Sequence, residues 1–209
     1  MYRKSQCYTG FFCVIIFLVN TLKNSLLKIL DKYLLIYPDE LSRQNKLLGF
    51  INLYNDGELI NWNNFAGHIT VGGFIYSRKE NLFLVLYHKD LNMFLYPGGH
   101  VDITDCSLIE AVRREIFEET GIKNINKLNI GDDELIPFDI DTHLIEYNER
   151  LNLPQHYHFD FRYLFFVDDV IDIKIDNDEL IDYKWVSIDD LSNDVNYKTV
   201  ISKLKFLIK

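Results

Sequence analysis

Through the first third of the chain the apolar positions recur every three or four residues. Leu22, Leu26, Leu27, Leu30, Tyr33 and Leu34 predict a helix that Thr21 caps and the Pro38-Asp39 pair ends. Leu41, Leu47, Leu48 and Ile51 predict a second helix closing near Gly57. The polar stretch with Asn55, Asp56, Gly57 and Asn61 to Asn64 reads as a linker or turn. From His68 the pattern turns β-rich. Runs 69–76 and 82–87 predict two strands joined by a hairpin over 77–81. Pro97-Gly98-Gly99 predicts a turn, and residues 108–120 a helix. Segments 135–147, 157–167 and 182–186 predict further strands. Ser187 is positioned to cap a short helix over 188–191, and the amphipathic stretch 197–208 predicts a closing helix. That order predicts an α+β sandwich rather than a doubly wound sheet. Residues 1–66 form an N-terminal helical extension and 67–209 the main domain.

Two of these strands carry titratable stripes. His156, His158, Asp160 and Arg162 alternate with Tyr157, Phe159, Phe161 and Tyr163, while Asp139, Asp141 and His143 oppose Phe138 and Ile140. If the strands pair, both stripes share one face of the sheet. A plain solvated strand would show Lys, Thr and Glu, so the stripes read as a wall of a substrate cleft. The alternatives are an exposed or structural face, or a transition-metal site on the His156-x-His158 pair, whose remaining ligands nothing in the sequence fixes. His68 and His88 read as structural. His100, beside two glycines, reads as lining the site.

Composition narrows the function. With 48% hydrophobic and 25% charged residues, the 209-residue chain is an ordinary folded protein. A net charge of −9 excludes a broad electrostatic grip on nucleic acid, so a polyanionic substrate would need a cation at the site. Three scattered cysteines, without a Cys-x-x-Cys pair, predict a reducing cytoplasm with neither a disulfide framework nor a structural zinc. The apolar run 10–19 follows Arg3 and Lys4 and imitates a signal peptide. It is too short to span a bilayer and lacks a small-x-small cleavage site. It is read as a packed segment of a soluble protein, with membrane association and an extraneous start as alternatives.

The chemistry concentrates in one helix. Ser107 and Glu110 have capping-box spacing, and Gly121 supplies a left-handed end. Between them, Glu115, Glu118 and Glu119 fall within an arc of about 100° on one face. Three crowded carboxylates call for a cation between them. Arg114 stands four residues before Glu118, at ion-pair spacing. A solvated acidic face is the plainer reading of such a helix.

The lead-in decides between the two. Gly99, followed by Arg114-Glu115-Ile116-Phe117-Glu118-Glu119-Thr120-Gly121-Ile122, resembles the signature of the Nudix hydrolases. The loop between them is one residue longer than the pattern. Asp105 keeps the distance of the family's first Glu from the glycine, and Cys106 its distance from the arginine. The resemblance covers about residues 67–190. It implies a Nudix-type α/β/α sandwich with a mixed sheet, a main domain that ends in the closing helix, and diphosphate hydrolysis with Mg²⁺, or Mn²⁺ in its place. The implied metal ligands are Glu115, Glu118 and Glu119, with Asp105 joining through a water because a hard carboxylate suits Mg²⁺ better than a thiol. Glu115, Glu118 and Arg114 are the expected catalytic set. Gly98, Gly99, His100, Asp139, Asp141, His143, His156, His158, Asp160 and Arg162 are the expected substrate-binding set. The expected substrate is a small nucleoside diphosphate linked to another moiety, such as ADP-ribose or a nucleotide sugar. Triphosphate pyrophosphohydrolysis and a non-catalytic ligand-sensing module are the alternatives. Neither nucleic acid nor a membrane is an expected partner, a homodimer is compatible, and the cytoplasm is the expected location.

Overall fold

The computed structural model describes residues 21–207 apart from 131, 132, 150, 151, 193 and 195. The apolar run 10–19 and residue 208 of the expected closing helix lie outside the described residues. Among those residues, no helix is long and apolar enough to cross a membrane.

The sheet is built around β1 (His68–Ser77), which is buried along its whole length. It pairs in parallel with β7 (His156–Val167), from His68 opposite His158 to Ser77 opposite Val167. On its other edge β1 pairs antiparallel with β2 (Leu82–His88) at Tyr76 and Ser77. Along Thr70 to Gly72 the same edge pairs with β4 (Gly98–His100). Beyond β2 lie β3 (Met93–Leu95) and β8 (Leu180–Ser187). Beyond β7 lie β5 (Asn126–Lys127) and β6 (Asp139–Ile145). The result is one mixed sheet of eight strands.

Helices cover both faces. Gly72 and Gly73, successive residues of a strand, point to opposite faces. At Gly73 an added Cβ would meet Ile116 and Val112 of α4 (Leu108–Thr120), and at Gly72 it would meet the Tyr96 ring. On the Gly72 face, Phe74 packs against Tyr96 and against Tyr197, just ahead of α6 (Lys198–Leu207). The short α5 (Ile188–Leu191) follows β8 and is capped by Ser187, whose side chain accepts from the Asp190 amide.

The extension docks at the β6 edge. It comprises α1 (Leu22–Ile36), a 3-10 turn at Pro38–Glu40, α2 (Leu41–Leu53) and α3 (Asp56–Leu59). Gln44 Nε2 donates to the Ile140 carbonyl at 3.0 Å, and Phe50 stacks on Phe159 with centroids 4.5 Å apart. The Asp56 carboxylate accepts from the amides of Leu22 and Lys23, satisfying donors that the first turn of α1 leaves open.

Three local expectations change. Gly98 and Gly99 lie in strand β4 rather than a turn, because β1 supplies a partner edge. The polar stretch at 55–59 is a short helix with a complete capping box between Asn55 and Glu58. The strand sought over 135–147 begins only at Asp139.

Candidate active site

Helix α4 presents its acids through ordinary helix chemistry. The Ser107 hydroxyl accepts from the Glu110 amide at 3.2 Å, and Gly121 closes the helix at φ 74° with its amide on the Phe117 carbonyl. Leu108, Ala111, Val112 and Ile116 are buried, which turns Glu115 and Glu119 toward β4 and leaves Glu118 exposed.

Arg114 organises the group. Its Nη1 donates to Glu115 Oε1 at 2.8 Å and to Glu118 Oε2 at 3.0 Å. Its Nη2 donates to the His100 carbonyl at 2.9 Å. Asp105 receives the rest of the fork, Nε at 3.0 Å and Nη2 at 2.8 Å, and its Oδ2 also accepts from the Asp102 amide. Asp105, expected to reach the metal through a water, has the Arg114 guanidinium as its direct partner. That half-buried guanidinium holds the carboxylate through two hydrogen bonds. Cys106 is disulfide-bonded, so it offers no free thiolate to a metal.

The three glutamates differ sharply. Glu119 is 5% exposed, and its Oε2 accepts from the Gly98 amide at 2.9 Å. Burial pushes its carboxyl up to about 8, and Glu115, Glu179 and Glu118 add to the rise against the Gly98 hydrogen bond. Glu115 is also raised, again by burial first, with Arg114 opposing. The Glu118 side chain is 54% exposed. Gly99 lies against Glu115, whose carboxylate a Cβ there would meet at 2.7 Å. His88 is a neighbour the sequence did not assign to the site, with Nε2 3.9 Å from Glu119 Oε1. Its signal is invisible in the sequence because β2 and α4 meet only through the fold. Hard carboxylate oxygens gathered on one helix fit a divalent cation that keeps several waters and needs few protein ligands.

The stripes on β6 and β7 share one face as expected, with Asp139 opposite Arg162, Asp141 opposite Asp160 and His143 opposite His158. Their acidic half is a buried ion network rather than a cleft wall. Arg162, 2% exposed, donates to Asp139, Asp141 and Asp160. Arg43 of α2 donates to Asp139 and Asp141 at 3.0–3.1 Å, and Lys203 of α6 to Asp139 at 2.8 Å. Burial pushes Asp139 up, but Lys203, Arg162 and Arg43 more than offset it and hold the carboxyl below its ordinary value. The reason for the change is the extension, which covers this end of the sheet with α2.

The histidine half is separate. His158 lies between His68 on β1 and His143 on β6, and His100 reaches His68 with Nε2 atoms 3.0 Å apart. Burial, with His100 and His156 adding, lowers His68 to about 3. Burial, with His68, His143, His100 and His156 adding, lowers His158 to about 2. A cavity of about 130 Å³ is lined by Leu22, Ile60, Val101, Asp105 and Leu108, and by none of the three glutamates.

Comparison with known proteins places this geometry. A family model described as "NUDIX domain" matches residues 66–207. A "Probable DHNTP pyrophosphohydrolase" of Lactococcus lactis subsp. cremoris (strain MG1363) is 36% identical over 90 residues, covering 41% of this chain and 47% of that protein. The chain thus spans about half the length of that curated relative. A NUDIX-family hydrolase structure from Clostridium perfringens superposes with a TM-score of 0.51 at 27% identity, covering 67% of this chain and 97% of that one. The E. coli dihydroneopterin triphosphate pyrophosphohydrolase gives the same TM-score at 14% identity, covering 65% and 92%, a likeness of fold alone.

Proposed function

The chain belongs to the NUDIX family, and on that premise we propose that it is a Mg²⁺-dependent hydrolase of a diphosphate bond in a nucleoside diphosphate linked to another moiety, such as ADP-ribose or a nucleotide sugar. The observation that carries this reading is the placing of Glu115 and Glu119 against β4, with Arg114 linking Glu115 and Glu118 to the His100 carbonyl. Glu118 and Glu119 would hold the cation, with Glu115 as third ligand or base. Bound there, Mg²⁺, or Mn²⁺ in its place, supplies charge neutralisation on the diphosphate. Water attacks one phosphorus, the bridging P–O bond breaks, and a carboxylate takes the water's proton. We assign that proton to Glu115, the acid set between Gly99 and the Arg114 guanidinium. Arg114 keeps Glu115 and Glu118 oriented, and Gly99 leaves room for the Glu115 carboxylate. The substrate-facing wall in this reading is Gly98, Gly99 and His100. Asp139, Asp160 and Arg162 serve the fold instead.

A second reading, triphosphate pyrophosphohydrolysis, is favoured by the name of the Lactococcus relative. A non-catalytic sensing module is disfavoured because all three acids are kept. A Mg²⁺-dependent turnover screen over dinucleotides, nucleotide sugars, ADP-ribose and nucleoside triphosphates, with products identified by mass, separates the readings. The proposal expects a nucleoside monophosphate plus the phosphorylated remainder of a linked diphosphate. Pyrophosphate released from triphosphates alone favours the second reading.

A further inference from the structure

Five of the six histidines, on four strands, gather beside β4, and of these only His100 enters the hydrolytic scheme, at the substrate-facing wall. We propose that His68, His100 and His158 form a binding site for a borderline transition-metal dication, with Zn²⁺ the best match, distinct from the glutamate site. One ring nitrogen from each lies within 4.8 Å of the other two, and Nε2 of His68 and of His100 are 3.0 Å apart. Tetrahedral Zn²⁺ with Zn–N of about 2.0–2.1 Å spaces its ligand atoms by about 3.3–3.4 Å, so the rings need a modest adjustment, with His68 and His100 parting slightly and His158 closing on them. His100, which keeps an exposed edge, is free to make it and gives the ion a route in.

The chemistry of the ligands selects the ion. Each neutral imidazole offers one lone pair and one N–H, so three converging rings gather lone pairs that a cation satisfies together. Imidazole suits Zn²⁺, Cu²⁺ or Ni²⁺, whereas Mg²⁺ prefers oxygen, and no carboxylate belongs to this trio. A supporting layer exists as well. His156 places Nδ1 2.7 Å from the Pro154 carbonyl and Nε2 3.2 Å from Nε2 of His158, the pattern by which an outer partner orients a ligand ring. His-x-His on β7 was visible in the sequence; the other two ligands come from β1 and β4, which only the sheet brings near.

The test is a Co²⁺ titration of the intact protein in saturating Mg²⁺, read by visible absorption and independent of turnover. One equivalent should bind with the intense bands of tetrahedral cobalt, and Zn²⁺ should displace it. His100→Asn, at the exposed position, and His158→Gln should each weaken binding by at least the roughly 10–100-fold that loss of an outer partner costs. Glu118→Gln and Glu119→Gln should leave the spectrum unchanged. Absence of tetrahedral bands in the wild-type protein would overturn the site, as would bands that survive His100→Asn or vanish in the glutamate variants. Because the readout is spectroscopic, a failed hydrolase assignment and a failed histidine site give different results.

Discussion

Gly98 and Gly99 are neighbours on β4 with different reasons to be glycine. A Cβ on Gly98 would meet the Val71 carbonyl oxygen at 2.4 Å, and that backbone cannot move without disturbing β1. A Cβ on Gly99 would press first on the Glu115 carboxylate, a side-chain end rather than backbone. Gly98→Ala should therefore lower the melting temperature by several degrees, whereas Gly99→Ala should leave it nearly unchanged and lower turnover about 10-fold or more by displacing Glu115. Thermal melts and steady-state rates on both variants check this, and equal destabilisation by the two would contradict it. Asp105 belongs to the same scale. The spacing placed it in the acidic loop, but its partner could not be read from spacing alone. Asp105→Ala should slow turnover through a loosened Arg114 while leaving the apparent affinity for Mg²⁺ within a few-fold of wild type. A large loss of Mg²⁺ affinity would return Asp105 to the metal.

At the scale of elements, the helix and long strands were legible because their signals are local. The capping serine, the apolar stripe and the terminal glycine of α4 all lie within fifteen residues, and β7 shows its alternation directly. What was not legible depends on pairing across the sheet. Residues 98–100 become a strand only because β1 offers an edge, and β5 has two residues and no pattern of its own. The histidine cluster is of this kind, and it has a measurable consequence. His68 and His158 hold folded-state values of about 3 and about 2, far below the roughly 6.5 of an unfolded chain. As pH falls below about 6.5 the unfolded chain binds protons that the folded chain refuses, so stability is lost on acidification. By pH 5 each group should cost on the order of 1–2 kcal/mol. Urea unfolding at pH 7 and pH 5, in chelator, should show that slope, and His68→Gln should reduce it by His68's share. A pH-independent midpoint between those values would contradict the neutral cluster.

Across the whole molecule, charge joins the N-terminal extension and the last helix to the sheet. Arg43 from α2 and Lys203 from α6 both reach Asp139, which is fully buried, and Arg162 meets three aspartates from beneath. The sequence showed the stripe but not its cover, since the residues that neutralise Asp139 lie 96 and 64 positions away. Removing one partner from such a network leaves uncompensated buried charge, so Arg162→Ala should cost about 3–5 kcal/mol of folding stability. Chemical denaturation measures it, and a loss under about 1 kcal/mol would mean that the network is solvated. The central claim, however, is catalytic. It is tested most directly by turnover of a linked nucleoside diphosphate against free Mg²⁺ for the wild-type, Glu118→Gln and Glu119→Gln proteins. The account predicts saturable dependence on Mg²⁺ in the wild type and a fall of about 10²-fold or more in kcat for each variant, with melting temperatures within a few degrees. Wild-type rates in both variants at saturating Mg²⁺, or turnover indifferent to chelation, would contradict it.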